Sequence, residues 1–384
     1  MKVALVAAMA APYRLPVWEA LGQRLEQLDV LLCSERESNR IWRDTRDAAA
    51  SYSRTVLPGF HRYVLGLEWG FHWNPTLLRH LRRVAPDAII VNGYDSPSYL
   101  TAMAYARVQG VPLVLSVEGH AESSRFTTGP IAAARRRLVR AADACLAHGR
   151  ASADYVAAQG MPRDRIVTGI LPVDVERVGR LADAIAARSD RKVPPVQFIS
   201  VGRLTGRKRV IDLVDAFRTV DPCDACLTIV GHGPLQQRIE AMLAEPGLEH
   251  VRFAGASSTL DETVAHLGRA DVLVMPSVRE VWGLVVNEAL AAGLYVIASR
   301  TSGATPDLIE DAPFEVGMAI DPAKPAALAA AITAAAARVK AGCVDRDRIA
   351  QWGRTHTPER HAENMVEAIG IAIGRRSRLR GKES

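Results

Sequence analysis

The chain has 384 residues, enough for two domains of ordinary size. With 48% hydrophobic and 23% charged residues, its composition is that of a globular protein and excludes the disordered and fibrous classes. A net charge of +6 suits anionic partners such as nucleotide diphosphates or lipid phosphates, but it is too small and too dispersed to indicate nucleic acid. No apolar run approaches the roughly 20 residues needed to span a bilayer. Residues 1–6 are too short for a signal peptide and read as a first strand, so the expected location is cytoplasmic, with peripheral membrane contact left open. Five cysteines, at 33, 145, 223, 226 and 343, do not form the even set of a disulfide framework. Cys223-Asp224-Ala225-Cys226 stands alone, with no second pair at zinc spacing.

Apolar runs at 3–8, 28–33, 88–91, 113–117 and 144–147 read as buried strands. Helical patterns at 15–25, 75–84 and 99–109 separate several of them. Strand alternating with helix predicts a parallel sheet covered on both faces. The basic amphipathic stretch at 131–139 reads either as a solvated helix face or as a face for anionic lipid. Residues 188–195 are charged and end in two prolines, the pattern of an interdomain linker. Strands then resume at 196–201, 227–230, 251–253, 271–275 and 295–298. Apolar residues at 210, 213, 214 and 217 mark a helix over 210–220. A last helical stretch at 359–373 precedes an arginine-rich end, 375–380, that reads as solvated and frayed. The expected division is 1–187, 196–355 and a terminal segment, 356–384.

Several strand ends carry candidate chemistry. Glu280 and Glu288 lie eight positions apart in SVREVWGLVVNEALAAG, residues 277–293, where a strand gives way to a helix. N–H groups of Val281, Trp282, Gly283 and Leu284 near the helix start have no internal acceptor and suit an anion. A phosphate there, with a carboxylate on either side for hydroxyls, describes a nucleotide-sugar site. The plainer reading is that carboxylates simply favour a helix N-terminus. Arg203, after Gly202, and Lys208 offer a planar fork and a point charge for a diphosphate. His232, in Gly231-His232-Gly233-Pro234, reads as a loop residue, and Gly255 follows the strand at 251–253. Glu118 and His120 end the strand at 113–117, the edge where α/β folds bind ligands. Tyr13 and Arg14 lie in the first loop; Trp69, Trp73 and Tyr94 offer stacking faces.

The string at 277–293 resembles the E-x7-E signature of retaining GT-B glycosyltransferases of family 4, S-x-x-E-G-F-G-L-x-x-x-E-A-x-A-x-G. Ser277, Glu280, Gly283, Leu284, Glu288, Ala289, Ala291 and Gly293 match it. Val281 replaces Gly, Trp282 replaces Phe, and Asn287 stands where Pro is frequent. Val201-Gly202-Arg203-Leu204 with Lys208 is similar to the family's V-G-R-L-x-x-x-K element, and Gly231 to Pro234 to its G-x-G-P turn.

The resemblance implies an α/β GT-B fold: two Rossmann-like parallel-sheet domains facing across a cleft, with the C-terminal helix crossing back to the N-terminal domain. It implies a donor on the C-terminal domain and an acceptor on the N-terminal one. Arg203 and Lys208 would hold the diphosphate, Glu288 the ribose, Glu280 the sugar near its anomeric centre, and the Gly255 loop would pass the base. His120 would lie near the donor sugar, with Glu118 the competing candidate. The Gly-Gly pair of many members is missing from the first loop, which leaves donor contact there open and Tyr13 and Arg14 as acceptor contacts. The implied reaction moves a hexosyl-type sugar from a UDP- or GDP-sugar to a glycan, lipid-linked or small-molecule acceptor without metal or other cofactor. Asp345-Arg346-Asp347 lies away from any strand end and is assigned no metal. The alternatives are a sugar-nucleotide epimerase of the same architecture, a phosphorylase, for which no pyridoxal-lysine context is visible, and a two-lobed sugar-binding protein.

Overall fold

Short aliphatic runs without a polar break form strands buried on both faces, because only parallel strands covered by helices hide such runs from water. The computed structural model describes residues 1–36, 50–64, 69–187 and 195–383, so the proposed linker falls outside them except for Pro195. The chain divides into two units: Met1–Pro172 with Pro358–Ser384, and Val173–Thr357.

Unit 1 contains β1 (Lys2–Ala7), α1 (Leu15–Gly22), β2 (Gln27–Leu32), β3 (Ser53–Val56), β4 (Phe60–Val64), β5 (Trp69–Trp73), α2 (Leu77–Val84) and β6 (Ala88–Val91). It continues with α3 (Pro97–Gln109), β7 (Leu113–Val117), α4 (Gly129–Ala141), β8 (Ala144–His148), α5 (Gly149–Ala158) and β9 (Ile166–Gly169). Seven strands pair in parallel in the order β3-β2-β1-β6-β7-β8-β9, with Val3 opposite both Leu28 and Ala88. Strand alternation splits the core. Ala4, Val6, Ile89 and Val91 pack with α2, α3 and α5, while Val3, Leu5, Ala88 and Ile90 pack on the other face. That second face is covered by Trp18 and Leu21 of α1 and by Ala362, Ala368 and Ile369 of the last helix.

Unit 2 contains α6 (Val175–Ala186), β10 (Val196–Val201), α7 (Val210–Phe217), β11 (Ala225–Val230), α8 (Gln236–Leu243), β12 (Val251–Phe253) and α9 (Leu260–Leu267). Then come β13 (Val272–Met275), α10 (Leu284–Ala291), β14 (Tyr295–Ser299), β15 (Gly317–Ile320), α11 (Pro325–Lys340) and α12 (Arg346–Arg354). Its six strands are also parallel, in the order β12-β11-β10-β13-β14-β15. The final helix, α13 (Pro358–Glu383), returns to unit 1 and packs on α1.

Two expectations need correction. The first unit ends at Pro172, not at 187, and the return to it begins at Pro358. Helix α6 belongs to unit 2, where Asp174 caps it by accepting the Arg177 N–H at 3.0 Å and it packs on α9, α10 and α12. The arginine-rich end is not freely solvated. Arg375 and Arg376 reach the Asp143 carboxylate at 2.9 and 2.7 Å, and that side chain is 1% exposed. Asp143 also accepts the Leu113 N–H at 3.0 Å, tying α13 to the start of β7. The helix expected at 131–139 is present in α4, with Ala132 and Val139 buried and Ile131 exposed.

Candidate functional site

In unit 2 the chain runs outward from β10 through β11 to β12, then returns to β13 and runs the other way. Loops on either side of such a reversal part and leave a crevice at the carboxyl ends of the strands. A pocket lies there, lined by Gly202, Arg203, Lys208, Met275, Pro276 and Ser277. The loops after β10, β11 and β12 converge on this edge: Gly231 N–H donates to the Gly255 carbonyl at 2.7 Å, and Leu204 N–H to that of His232 at 2.7 Å. Gly231 has φ +153, and a Cβ there would fall 1.8 Å from the Gly202 carbonyl oxygen, so no larger residue lets these loops pass.

Lys208 closes a single helical turn, Gly206–Lys208, and Arg209 follows at φ +56, an uncommon conformation for a residue with a Cβ. Asp212 holds Arg209 by an ion pair at 2.7 Å. The turn delivers the Lys208 ammonium onto the Glu280 carboxylate, which also accepts from Ser277 Oγ at 3.3 Å. Burial works to raise the Glu280 pKa, but the Lys208 charge, its hydrogen bond and the Arg207 charge prevail and hold it below the usual range. Glu280 is therefore an ionised, 9% exposed carboxylate with Lys208 as its counterion.

Gly283 is the N-cap of α10 at φ +102, and the first N–H groups of this helix have no acceptor within it. Two of the three departures from the family string are partners: buried Trp282 donates its Nε1–H to the buried Asn287 Oδ1 at 2.9 Å. Trp282 also accepts Ser302 Oγ–H at 2.5 Å through its carbonyl, which fixes the turn from Val281 to Leu284. Glu288 follows one turn into α10, partly buried, and its carboxylate has no hydrogen-bond or ion-pair partner among the described residues. Burial raises its pKa to about 7. Arg203 stands across the pocket beside His232, whose pKa is lowered by burial and then by the Arg203 charge. The structure thus gathers Arg203, Lys208, Glu280 and the start of α10 on one sheet edge, with Gly255 stitched to the same loops. Asp345 caps α12 by accepting the Arg348 N–H at 3.0 Å.

Unit 1 has its own reversal, between β1 and β6. There the Arg14 guanidinium pairs with Glu118, and Arg14 lies over the Tyr13 ring at 5.5 Å. Burial alone would lower the Arg14 pKa; Tyr13 and Glu118 raise it. Tyr13, Arg14 and Glu118 are therefore brought together. His120 is 3% exposed, its N–H held by Ser123 Oγ at 2.8 Å, and it does not line the pocket of that edge. Sequence reasoning missed four residues that do: Asn92, Ser116, His148 and His361. His148 ends a strand just as Glu118 and His120 follow one, so the same rule points to it; nothing local marks His361. Trp73 is 54% exposed, Tyr94 lies beneath Arg135 at 5.8 Å, and the Trp69 side chain falls outside the described set.

Two parallel-sheet units, each with polar groups at its reversal point, define the GT-B class. Across 96% of this chain and 99% of its own, the lipopolysaccharide outer core galactosyltransferase WaaB in its apo form has the same fold, with a TM-score of 0.68 at 19% identity. The Glycosyl transferases group 1 model matches residues 183–339, and the Glycosyl transferase 4-like domain model matches 10–168. Glycogen synthase of Mycobacterium tuberculosis is 32% identical over 294 residues, 71% of this chain and 68% of that protein. Sulfoquinovosyl transferase SQD2 of Arabidopsis thaliana is 30% identical over 262 residues, 65% of this chain but only 49% of that protein, so the match spans about half the length of that relative. The chain belongs to the glycosyl transferases group 1 family.

Proposed function

We propose that this protein is a retaining glycosyltransferase that moves a hexosyl unit from a UDP- or GDP-sugar to a hydroxyl of a glycan, glycolipid or small-molecule acceptor. The observation that carries the reading is the cluster at the β10–β13 reversal: Arg203, Lys208 and Glu280 beside the open start of α10. The diphosphate is held by Arg203, Lys208 and N–H groups of the Val281–Leu284 turn. This is electrostatic stabilisation of a leaving group by a preorganised site. Lys208 has three donors, so it serves the phosphate while keeping Glu280 in place. Glu280 accepts from sugar hydroxyls near the anomeric carbon, and the unpartnered Glu288 accepts from the ribose. The acceptor oxygen bonds to the anomeric carbon as the bond to the diphosphate breaks, on the same face, and the acceptor proton passes to a phosphate oxygen. His120 is assigned to the donor sugar, and no metal or further cofactor is assigned.

A melting-temperature screen against UDP, GDP, ADP and TDP tests the donor site, because a ligand bound only to the folded state raises the transition. One nucleotide is expected to stabilise, and the matching labelled nucleotide sugar to release nucleotide slowly in excess chelator. No stabilisation by any of the four, or activity restored only by added divalent metal, counts against this reading. Recovery of an epimerised sugar nucleotide replaces transfer with epimerisation.

A further inference from the structure

The two faces of the unit 1 sheet are covered by helices of different character. Trp18 of α1 and Ile369 of α13 pack on one face; Leu81 of α2, Met103 of α3 and Val139 of α4 pack on the other. The helices of the second face carry charge of one sign. Arg79, Arg82 and Arg83 stand on α2, Arg107 on α3, and four arginines, at 135–137 and 140, on α4. These three helices hold eight arginines and no Asp or Glu, more positive charge than the net +6 of the whole chain. The helices of the first face, α1 and α13, hold Glu19, Glu359, Glu363 and Glu367 as well as basic residues.

Arg79, Arg82, Arg83, Arg107 and Arg137 are exposed, and none has an ion pair among the described residues. Like charges three or four positions apart weaken a helix, so Arg79 with Arg82 and Arg83 destabilises α2 in the protein alone. An anionic surface relieves that repulsion. Apolar side chains stand among the charges. Tyr99, Ala102, Met103 and Ala106 of α3 face the core, so Leu100, Ala104 and Val108 form a stripe on the outer side. Leu100 is exposed, and Val108 is 78% exposed. Phe126, before α4, and Ile131, in its first turn, are exposed as well. A nucleic acid or other polyanion would pair with the guanidinium groups and leave these apolar tips in water. Headgroup phosphates above a hydrocarbon layer meet both needs: arginines take the phosphates, and the apolar tips enter the acyl boundary. Among the described residues no helix is long and apolar enough to cross a membrane, so contact of this kind lies on the surface.

We propose that the α2–α4 face of unit 1 docks on an anionic phospholipid bilayer, its arginines on the headgroup phosphates and Leu100, Val108 and Ile131 in the acyl boundary. The docking face does not depend on the transferase reading. The test is co-sedimentation of the full chain with vesicles of phosphatidylglycerol and phosphatidylcholine in equal parts, beside vesicles of phosphatidylcholine alone. The chain binds the anionic vesicles and not the neutral ones, and raising salt from about 0.1 to about 1 M weakens binding as screening shortens. The double variant Arg82→Gln, Arg83→Gln lowers affinity about 10- to 30-fold, because one arginine near such a surface contributes about fivefold. The double variant Val108→Ser, Ile131→Ser lowers it by at least about threefold through lost apolar burial, and leaves affinity for heparin unchanged. The double variant Arg180→Gln, Arg238→Gln makes the same charge change on exposed residues of unit 2 and stays within about twofold of wild type. All of these side chains are exposed, so each variant keeps the wild-type melting temperature. Equal binding to both kinds of vesicle, or an equal loss in the unit 2 variant, overturns the proposal. Vesicle binding indifferent to Val108→Ser, Ile131→Ser and matched on heparin also overturns it and makes the face a polyanion site. Vesicle binding without turnover of any nucleotide sugar would instead retire the transferase reading and leave the docking face standing.

Discussion

In unit 2 the carboxyl edge of the sheet is charged: Lys208 against Glu280, Arg203 beside His232, and Glu288 with no partner among the described residues. In unit 1 the equivalent edge pairs Arg14 with Glu118 and places two neutral histidines beside them. Both edges arise from the same topology, a parallel sheet whose chain reverses direction in the middle. The crevice therefore follows from the fold, while the side chains decide whether it suits a phosphate or a hydroxyl. Unit 1 also carries a buried charge cluster at the amino end of β8, where Asp143 anchors the returning helix.

That anchor gives the largest expected effect. Asp143→Ala leaves two arginines and the Leu113 N–H without their shared acceptor, and breaking a buried ion pair costs about 3–5 kcal/mol. Denaturant unfolding followed separately in the two units should show unit 1 weakened and nucleotide binding by unit 2 retained. Equal loss in both units would mean that they do not respond as separate bodies.

The charged edge is probed next. Lys208→Ala should leave Glu280 buried without its counterion, and Arg203→Ala should remove the planar fork from the same pocket. A charge-assisted hydrogen bond contributes about 1.5–3 kcal/mol, so a roughly 10- to 100-fold loss of nucleotide affinity and turnover is expected for either. Calorimetric titration and steady-state rates check this. Wild-type behaviour in both variants would reduce the basic loop to solvated surface.

Acid and base should separate the units by sign. His148 and His361 are held near 3 in the folded chain, well below their unfolded value, so the unfolded state takes up protons first as pH falls. Their contribution is intact above about pH 6.5 and shrinks below it, by about 2 kcal/mol per ring at pH 5. Glu288 runs the other way. Its folded pKa of about 7 lies above the unfolded value, so the folded state loses stability as pH rises towards 7. Partial exposure limits that loss to about 1–2 kcal/mol. Melting curves of His361→Gln and Glu288→Gln across pH 4.5 to 8, a span of about 3.5 units, should change the slope of the wild-type profile below about pH 7 in opposite senses. For nucleotide binding, affinity should rise from about pH 6 to 8 as Glu288 ionises, and Glu288→Gln should remove that rise. Glu280→Gln should spare free-nucleotide affinity and depress turnover of the intact donor; the reverse pattern would exchange the two carboxylates' roles.

The strands legible in the sequence were the runs rich in apolar residues, such as 88–91, 113–117 and 196–201, which the structure places at the same bounds. The missed ones lack that signal. β3 is Ser-Arg-Thr-Val at a sheet edge, and β4 with β5 forms a separate hairpin, with Phe60 opposite Trp73, whose pairing is visible only once the strands meet. Helix α6 was assigned to the wrong unit because its own periodicity is the same wherever it packs; only its contacts with α9, α10 and α12 decide.

By itself the sequence determined the alternation of strand and helix, and with it the parallel-sheet class. It also marked the residues proposed for the donor site, because those lie close together along the chain and depend on local turns: Gly202 to Lys208, and Ser277 to Glu288. Tertiary structure alone decided that Lys208 neutralises Glu280 across 72 residues, that Trp282 and Asn287 answer each other, and that the terminal arginines grip Asp143. It alone stacked His148 on His361. Burial and charge pairing depend on distance in space, and residues hundreds of positions apart carry no local mark of the partner that folding brings to them.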